Sequence, residues 1–405
     1  MPAALKKPAD ESAASPSIID VERPEAAVQI DAALMKIVKT TKSSPLKVMR
    51  EYTSLAFGPG KVSFAEYHKL RLFDDAYYQG QDKRAVIGWK RNSQINLEAN
   101  FRYDWWGMLS DKIASASYLA AYGFPTIPLL AIYSDCAGKS PANLPPHALL
   151  NYADALRSFL ANENLYPMFG KPAEGLQSLG SIALARFDGA ARTLETTDGR
   201  TISLEDFVAS ITQHYASGYV FQKLATPHAG IRAICGDRVA TARIVTIVLD
   251  DTPRLFRACW KIPGGSNTAD NFWRPGNMLA QLDVANGRVL RALSGVGVDL
   301  VEHTHHPDTG ADLIGAQVPL WPQLVATVLD AAKLMQHVPM IGWDVTALDS
   351  GPVIVEMNET PDFFLIQIAD KRGILDEDFN RFLAQQKKNR VAREKMLAER
   401  QKAAH

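Results

Sequence analysis

A chain of 405 residues, 47% hydrophobic and 22% charged, has room for two to three domains at about 150 residues each and is not a wholly disordered polypeptide. Its 44 Lys+Arg balance 44 Asp+Glu, which argues against a protein built mainly to coat nucleic acid. The three cysteines (Cys136, Cys235, Cys259) are too few and too scattered for a disulfide framework or a CxxC metal site, and they suit a reducing compartment. No run of about 18 apolar residues marks a transmembrane helix, and the N-terminus lacks the apolar core of a signal peptide, so a cytoplasmic location is the default expectation.

Residues 1–27 are acidic and rich in Ala, Ser and Pro, and they read as a disordered tail. Residues 28–108 read as mainly helical. Spaced apolar positions run from Val28 to Val38, and Ser63 with Glu66 forms a capping box that opens a helix through Leu72. Arg84–Trp89 is the one clear strand candidate there. Asp111–Tyr122 reads as a helix stopped by Gly123 and Pro125, and Thr126–Tyr133 as a strand.

From about residue 165 the texture changes to short strands with turns. These are Tyr166–Pro172, Ser181–Phe187, Tyr219–Leu224, Ile231–Cys235, Val239–Leu249, Leu255–Trp260, Met278–Val284 and Arg288–Leu293. Asn286-Gly287 is a hairpin signal, and helices intervene at Leu204–Ala216 and Trp321–Gln336. Antiparallel hairpins interleaved with a few helices predict an α+β fold over residues 109–385 rather than a doubly wound parallel sheet. Residues 386–405 form a basic helix or tail. It reads either as a solvated terminal helix or as a contact with an anionic partner or membrane surface.

The segment from Gly342 to Glu359 is the most informative. Two strand runs flank Asp349-Ser350-Gly351, which fits a three-residue hairpin loop. A register centred on Ser350 sets Asp344 opposite Glu356, with Asn358 on the same face. Directly opposed carboxylates repel, and a hard cation would reverse that; two carboxylates and an amide oxygen suit Mg²⁺. The alternative is a hairpin whose polar face is merely wet. Lys171 ends a strand ahead of a small-residue loop holding Gly175, Ser178, Gly180 and Ser181, which could lay N–H groups against phosphates. Arg232 and Arg243, on consecutive strands, could share a face and neutralise a polyphosphate or a developing acyl phosphate.

In order and spacing these residues resemble the ATP-grasp superfamily. The series is Lys112 before Gly123-Phe-Pro, Lys171-Pro, the loop 174–181, Tyr219-Val-Phe-Gln-Lys-Leu224, Ile231-Arg232…Gly236-Asp237…Val239…Arg243, and Asp344…Glu356-Met-Asn358. The likeness is greatest to the sugar-transfer-associated subgroup, through Phe57-Gly-Pro-Gly-Lys61 with Tyr67, Ala269-Asp270-Asn271-Phe272, His306-Pro-Asp-Thr-Gly310 and Ile-Gly-Trp343-Asp344. The resemblance implies a fold of two α+β subdomains with antiparallel sheets that clamp ATP.

It further implies that Lys112 and Lys171 contact ATP, that Gln222, Lys223 and Leu224 form the adenine hinge through backbone groups, and that Asp344, Glu356 and Asn358 hold Mg²⁺ or Mn²⁺. Arg243 would stabilise transferred phosphoryl charge, with Arg232 beside it. A hinge glutamate common in the superfamily is replaced by Gln222 or Lys223, and Gly230 stands where many members carry an acid. The implied activity is an ATP-dependent carboxylate–amine ligase that forms an acyl phosphate, on a sugar acid, amino acid or polysaccharide precursor. The alternatives are a phosphotransferase and a non-catalytic ATP-binding module of an assembly complex. Asp270 and Asn271, near Gly264-Gly265, are candidates for the acceptor pocket. His303, His305 and His306 lack a zinc-ligand pattern, and Trp105-Trp106 reads first as core.

Overall fold

Residues 30–135, 149–173 and 180–403 are described by the structure, a computed structural model. Among them, strand-forming runs build two seven-stranded sheets. The first comprises β1 (Leu129–Tyr133), β2 (Leu149–Leu150), β3 (Met168–Pro172), β4 (Ile182–Asp188), β5 (Thr193–Thr196), β6 (Thr201–Ser203) and β7 (Tyr219–Lys223), in the order β2-β1-β7-β3-β4-β5-β6. Its apolar side chains, Met168, Leu184 and Phe221 among them, pack on helices Ala153–Leu160 and Leu204–His214.

The second sheet comprises β8 (Thr241–Leu249), β9 (Thr252–Ile262), β10 (Met278–Asp283), β11 (Arg288–Ser294), β12 (Val301–Glu302), β13 (Met340–Leu348) and β14 (Gly351–Asn358). Its order is β12-β11-β10-β9-β8-β13-β14, with every pairing antiparallel. One face (Ile244, Trp260, Trp343) is covered by helix Trp321–Leu334 through Leu324, Val328 and Ala331. The other face changes character along the strands. At one end Val245, Ile247, Leu279 and Met340 meet the N-terminal helices and the C-terminal Phe363, Phe379 and Phe382. At the other end the same face presents Thr241, Arg243, Lys261 and Asp344, because Arg243 pairs with Cys259 and with Asp344, and Thr241 with Lys261. Thr241, Arg243, Lys261 and Asp344 line a cleft over this polar end.

Five sequence expectations are refined. The hairpin loop has two residues, since Leu348 pairs with Gly351, and a bulge at Val355 then restores the pairing of Asp344 with Glu356 and of Gly342 with Asn358. Arg84–Trp89 is not a strand. Asp82 caps a short 3₁₀ turn at Lys83–Ala85, and helix Trp89–Ala99 starts from Gly88. Gly60 fits here because a Cβ would come within 1.8 Å of the Val86 carbonyl oxygen. Ile231–Cys235 is helical (Ala229–Cys235), because His228 Nδ1 accepts from the Gly230 N–H at 3.0 Å and opens a turn that Gly236 closes at φ +67°. The Ser63 helix, with both halves of its capping box formed, ends at Lys69 rather than Leu72. The basic C-terminal stretch belongs to one helix, Glu377–Ala403, which buries Phe379, Phe382 and Gln386 and is then mostly exposed. Among the described residues no helix is long and apolar enough to cross a membrane.

Candidate active site

A cleft of about 930 Å³ lies between the two sheets. Its centre is a buried charge cluster on β8, β9 and β13. Arg243 Nε and Nη2 donate to the two Asp344 carboxylate oxygens at 2.5 and 3.1 Å, and Lys261 Nζ donates to Asp344 Oδ2 at 3.1 Å. Burial alone would raise the Asp344 pKa, but these two cations hold it well below the usual carboxylate range. Burial opposes the charge of Lys261, yet Asp270 and Asp344 keep its pKa raised.

Asp270 lies 3.6 Å from Lys261 Nζ. Its Oδ2 accepts from the N–H and the hydroxyl of Thr241 at 2.7 and 2.6 Å. Burial pushes its carboxyl up, with Lys261 and Thr241 pulling the other way. Asp362, also lining the cleft, is pushed up by burial against the pull of Arg243, and it caps helix Phe363–Asp370 by accepting from Phe364 N–H at 2.9 Å.

Lysines come from the other wall. Lys171 projects from β3, and burial pushes its ammonium pKa down, a shift that the nearby Lys112 charge reinforces and Glu356 opposes. Lys112 starts helix Lys112–Ala121, whose cap is Asp111 Oδ1 accepting from Ile113 and Ala114 N–H at 2.8 Å each. Lys112 Nζ stands 3.8 Å from Glu356 Oε1. Buried Gln222 on β7 reaches Ile127 O through Nε2 at 3.4 Å.

The loop between β9 and β10, which carries Asp270 and Asn271 into the cleft, is braced by the His306-Pro-Asp-Thr-Gly310 segment. His306 Nδ1 accepts from Asp308 N–H at 3.2 Å, so its Nε2 carries the proton and donates to Pro263 O at 2.9 Å. Asp308 accepts from Gly265 N–H and from Arg238. Asn277 binds Gly264 N–H, Ala269 O and Asn271 O. Gly264 allows the loop's two ends to meet, since a Cβ there would lie 2.2 Å from Gly276 O. The other histidines have separate partners, Ser294 for His303 and Asp312 for His305.

The family model for sugar-transfer associated ATP-grasp proteins matches residues 106–381. The chain belongs to this family. No curated protein matches it. Similar solved structures include an N5-carboxyaminoimidazole ribonucleotide synthetase in its ADP complex (11% identity over 63% of this chain and 46% of that one, TM-score 0.35). Others are a D-alanyl-alanine synthetase A from Vibrio cholerae (12%, 69% and 65%, TM-score 0.36) and a D-alanine–D-alanine ligase from Bacillus anthracis (13%, 71% and 70%, TM-score 0.36). The chain spans about half the length of the N5-carboxyaminoimidazole synthetase structures it matches.

Against the ATP-grasp expectations, the cleft gathers Lys112, Lys171, Ser181, Gln222, Lys223, Leu224, Arg243, Asp270, Asn271, Asp344, Glu356 and Asn358. Gly180, at φ +75°, and Arg232 are not among its lining residues, and Gly175 and Ser178 lie outside the described residues. Arg232 is corrected from the strand beside Arg243 to the helix, where its guanidinium binds Asp349 at 2.7 Å in the hairpin loop. The N–H groups of Lys223 and Leu224, the expected hinge, already donate to Pro128 O and Pro167 O at 3.1 and 3.3 Å. Lys261 and Asp362 were missed. The strand reading stopped at Trp260, one residue short of Lys261, and period-two alternation from Arg243 through its partner Cys259 would have found it.

The oxygen donors suit a hard cation. Asp344 commits three of about four lone-pair sites to Arg243 and Lys261, leaving one, and the Glu356 carboxylate and Asn358 oxygen face the same cleft. No three His, Cys, Asp or Glu side chains among the described residues converge on one point, so the set rests on two carboxylates and an amide.

Proposed function

We propose that this chain is an ATP-dependent carboxylate–amine ligase working through an acyl phosphate. The observation that supports it is the convergence of Lys112, Lys171, Arg243 and Lys261 with Asp344, Glu356 and Asn358 in one cleft between two sheets. A carboxylate is a poor electrophile. Its oxygen attacks the γ-phosphorus of ATP, the bond to the β-phosphate oxygen breaks, and ADP leaves. An amine nitrogen then bonds the acyl carbon, inorganic phosphate departs, and the amine gives up a proton. Positioning and charge neutralisation carry most of such a reaction.

Lys171 is suited to this work. Burial disfavours its charge, and a bound phosphate would favour it. Arg243 and Lys261 hold two positive charges over the β8–β9–β13 face, fixed by Asp344 and so in place before charge develops. When bound on Asp344, Glu356 and Asn358, Mg²⁺ or Mn²⁺ supplies further neutralisation of phosphate oxygens.

Glu356→Gln is expected to lower turnover by about 10²–10³-fold. The measurement is ADP and phosphate release with mass spectrometry of the products over a pool of acids and amines. Undiminished turnover removes Glu356 from the site. A phosphorylated product without free phosphate selects the phosphotransferase, and ATP affinity without turnover selects the non-catalytic module.

A further inference from the structure

The cleft has a second end with different chemistry. Its wall comes from the N-terminal helices (Glu66, Lys69, Trp89), from the braced loop (Asn271, Trp273) and from Phe364. Residues 66, 69 and 89 lie outside the stretch that the family model matches. This end is aromatic where the centre is ionic. Trp89 keeps 53% of its surface exposed although it lines the cleft, so it is not serving as core. Trp273 meets Phe364 at 5.8 Å between ring centroids, and Lys69 Nζ sits 5.2 Å from the Trp273 ring.

The wall is fixed rather than loose. Glu66 Oε2 accepts from Ser63 N–H at 2.7 Å and Oε1 from Trp89 N–H at 2.5 Å, tying two helix starts together. Asp270, three residues before Trp273, reaches Lys261, so the aromatic end adjoins the cations that face the transferred phosphoryl group.

Flat apolar faces beside an ammonium group, next to a cationic centre, match a carboxylate carried on a ring. A small acyclic acid would leave Trp89 and Trp273 uncovered. We propose that this end binds the acid substrate and selects a ring-bearing carboxylate, with the ring against Trp89 and Trp273 and the carboxylate towards Lys69 and Lys261. The inference rests on the ligase reading. A sugar ring and an aromatic ring share this chemistry, and the test separates them.

The full chain, saturated with ADP and Mg²⁺, is titrated by calorimetry with D-glucuronate, benzoate and glycine. One ring acid is expected to bind at least about tenfold more tightly than glycine, and which of the two binds identifies the ring. Trp89→Ala should weaken that binding about tenfold and Trp89→Phe should largely retain it, with ADP affinity unchanged in both. Trp89 is exposed, so its removal leaves the core intact. Glycine binding as tightly as either ring acid, no binding of either ring acid to the ADP-loaded protein, or an unaffected Trp89→Ala variant overturns the inference. Failure of the wild-type chain to bind ADP overturns the ligase reading instead.

Discussion

Replacing Asp344 by alanine is expected to destabilise the protein by about 3–5 kcal/mol, with no nucleotide or metal present. The ligand set alone would not lead to that result, since a side chain kept only for a cation should be dispensable without one. Asp344 does more. It is the acceptor for both Arg243 donors and for Lys261, and all three groups are buried. Without it, Arg243 loses both carboxylate hydrogen bonds at a buried position, and Lys261 keeps only Asp270 at 3.6 Å. Urea unfolding of the ligand-free variant measures the loss, and a midpoint equal to wild type would remove the ion-pair assignment.

Acid should narrow this difference. The folded pKa of Asp344 lies below its ordinary 3.8, so its stabilisation is fully present above that value. It is lost as pH falls below 3.8 towards the folded pKa, and the stability gap between wild type and Asp344→Ala should narrow there. Glu356→Gln gives the contrast. Glu356 is only half-buried and 3.8 Å from Lys112, so that change should leave the ligand-free stability nearly intact.

Residues close in sequence, or fixed by a strand register, were legible. The pairing of Asp344 with Glu356 followed from the alternation around one turn, although the structure reaches it by a tighter loop and a compensating bulge. Asp111 and Ser63 announced helix starts through capping chemistry that acts within three residues. The misreadings have two physical sources, a cap outside the run that was read and partners distant in the chain. Ile231–Cys235 is apolar enough for a strand, but a histidine cap outside the run decided for helix. Asp344 looked like half of a repelling carboxylate pair because its cations come from β8 and β9, 101 and 83 residues away in the chain. The His306–Gly310 segment carried only a family likeness in the sequence. Its task, bracing the 263–277 loop from 43 residues away, exists only in the folded chain.

Lys171→Met is expected to lower turnover by about 10²–10³-fold while costing the fold nothing. The two effects have one cause. A lysine buried on β3 beside another cation is a charge held where it is disfavoured, and its lowered pKa reports this. Methionine fills nearly the same volume without a charge to desolvate, so the ligand-free fold should be at least as stable as wild type. The pH dependence separates this account from simple repacking. Because the folded pKa lies below the ordinary 10.5, the unfolded chain binds more protons between the two values, and wild-type stability gains a component that rises with pH across that window. The methionine variant should lack that component. Urea midpoints over a pH series rising to 10.5 measure it, and an identical pH profile in the two proteins, or a clear loss of stability in the variant, would show that Lys171 is paired well enough to be structural. A residue whose charge is disfavoured in the empty protein and would be favoured by a bound anion is placed for that anion, which is the strongest reason to look for triphosphate at this wall of the cleft.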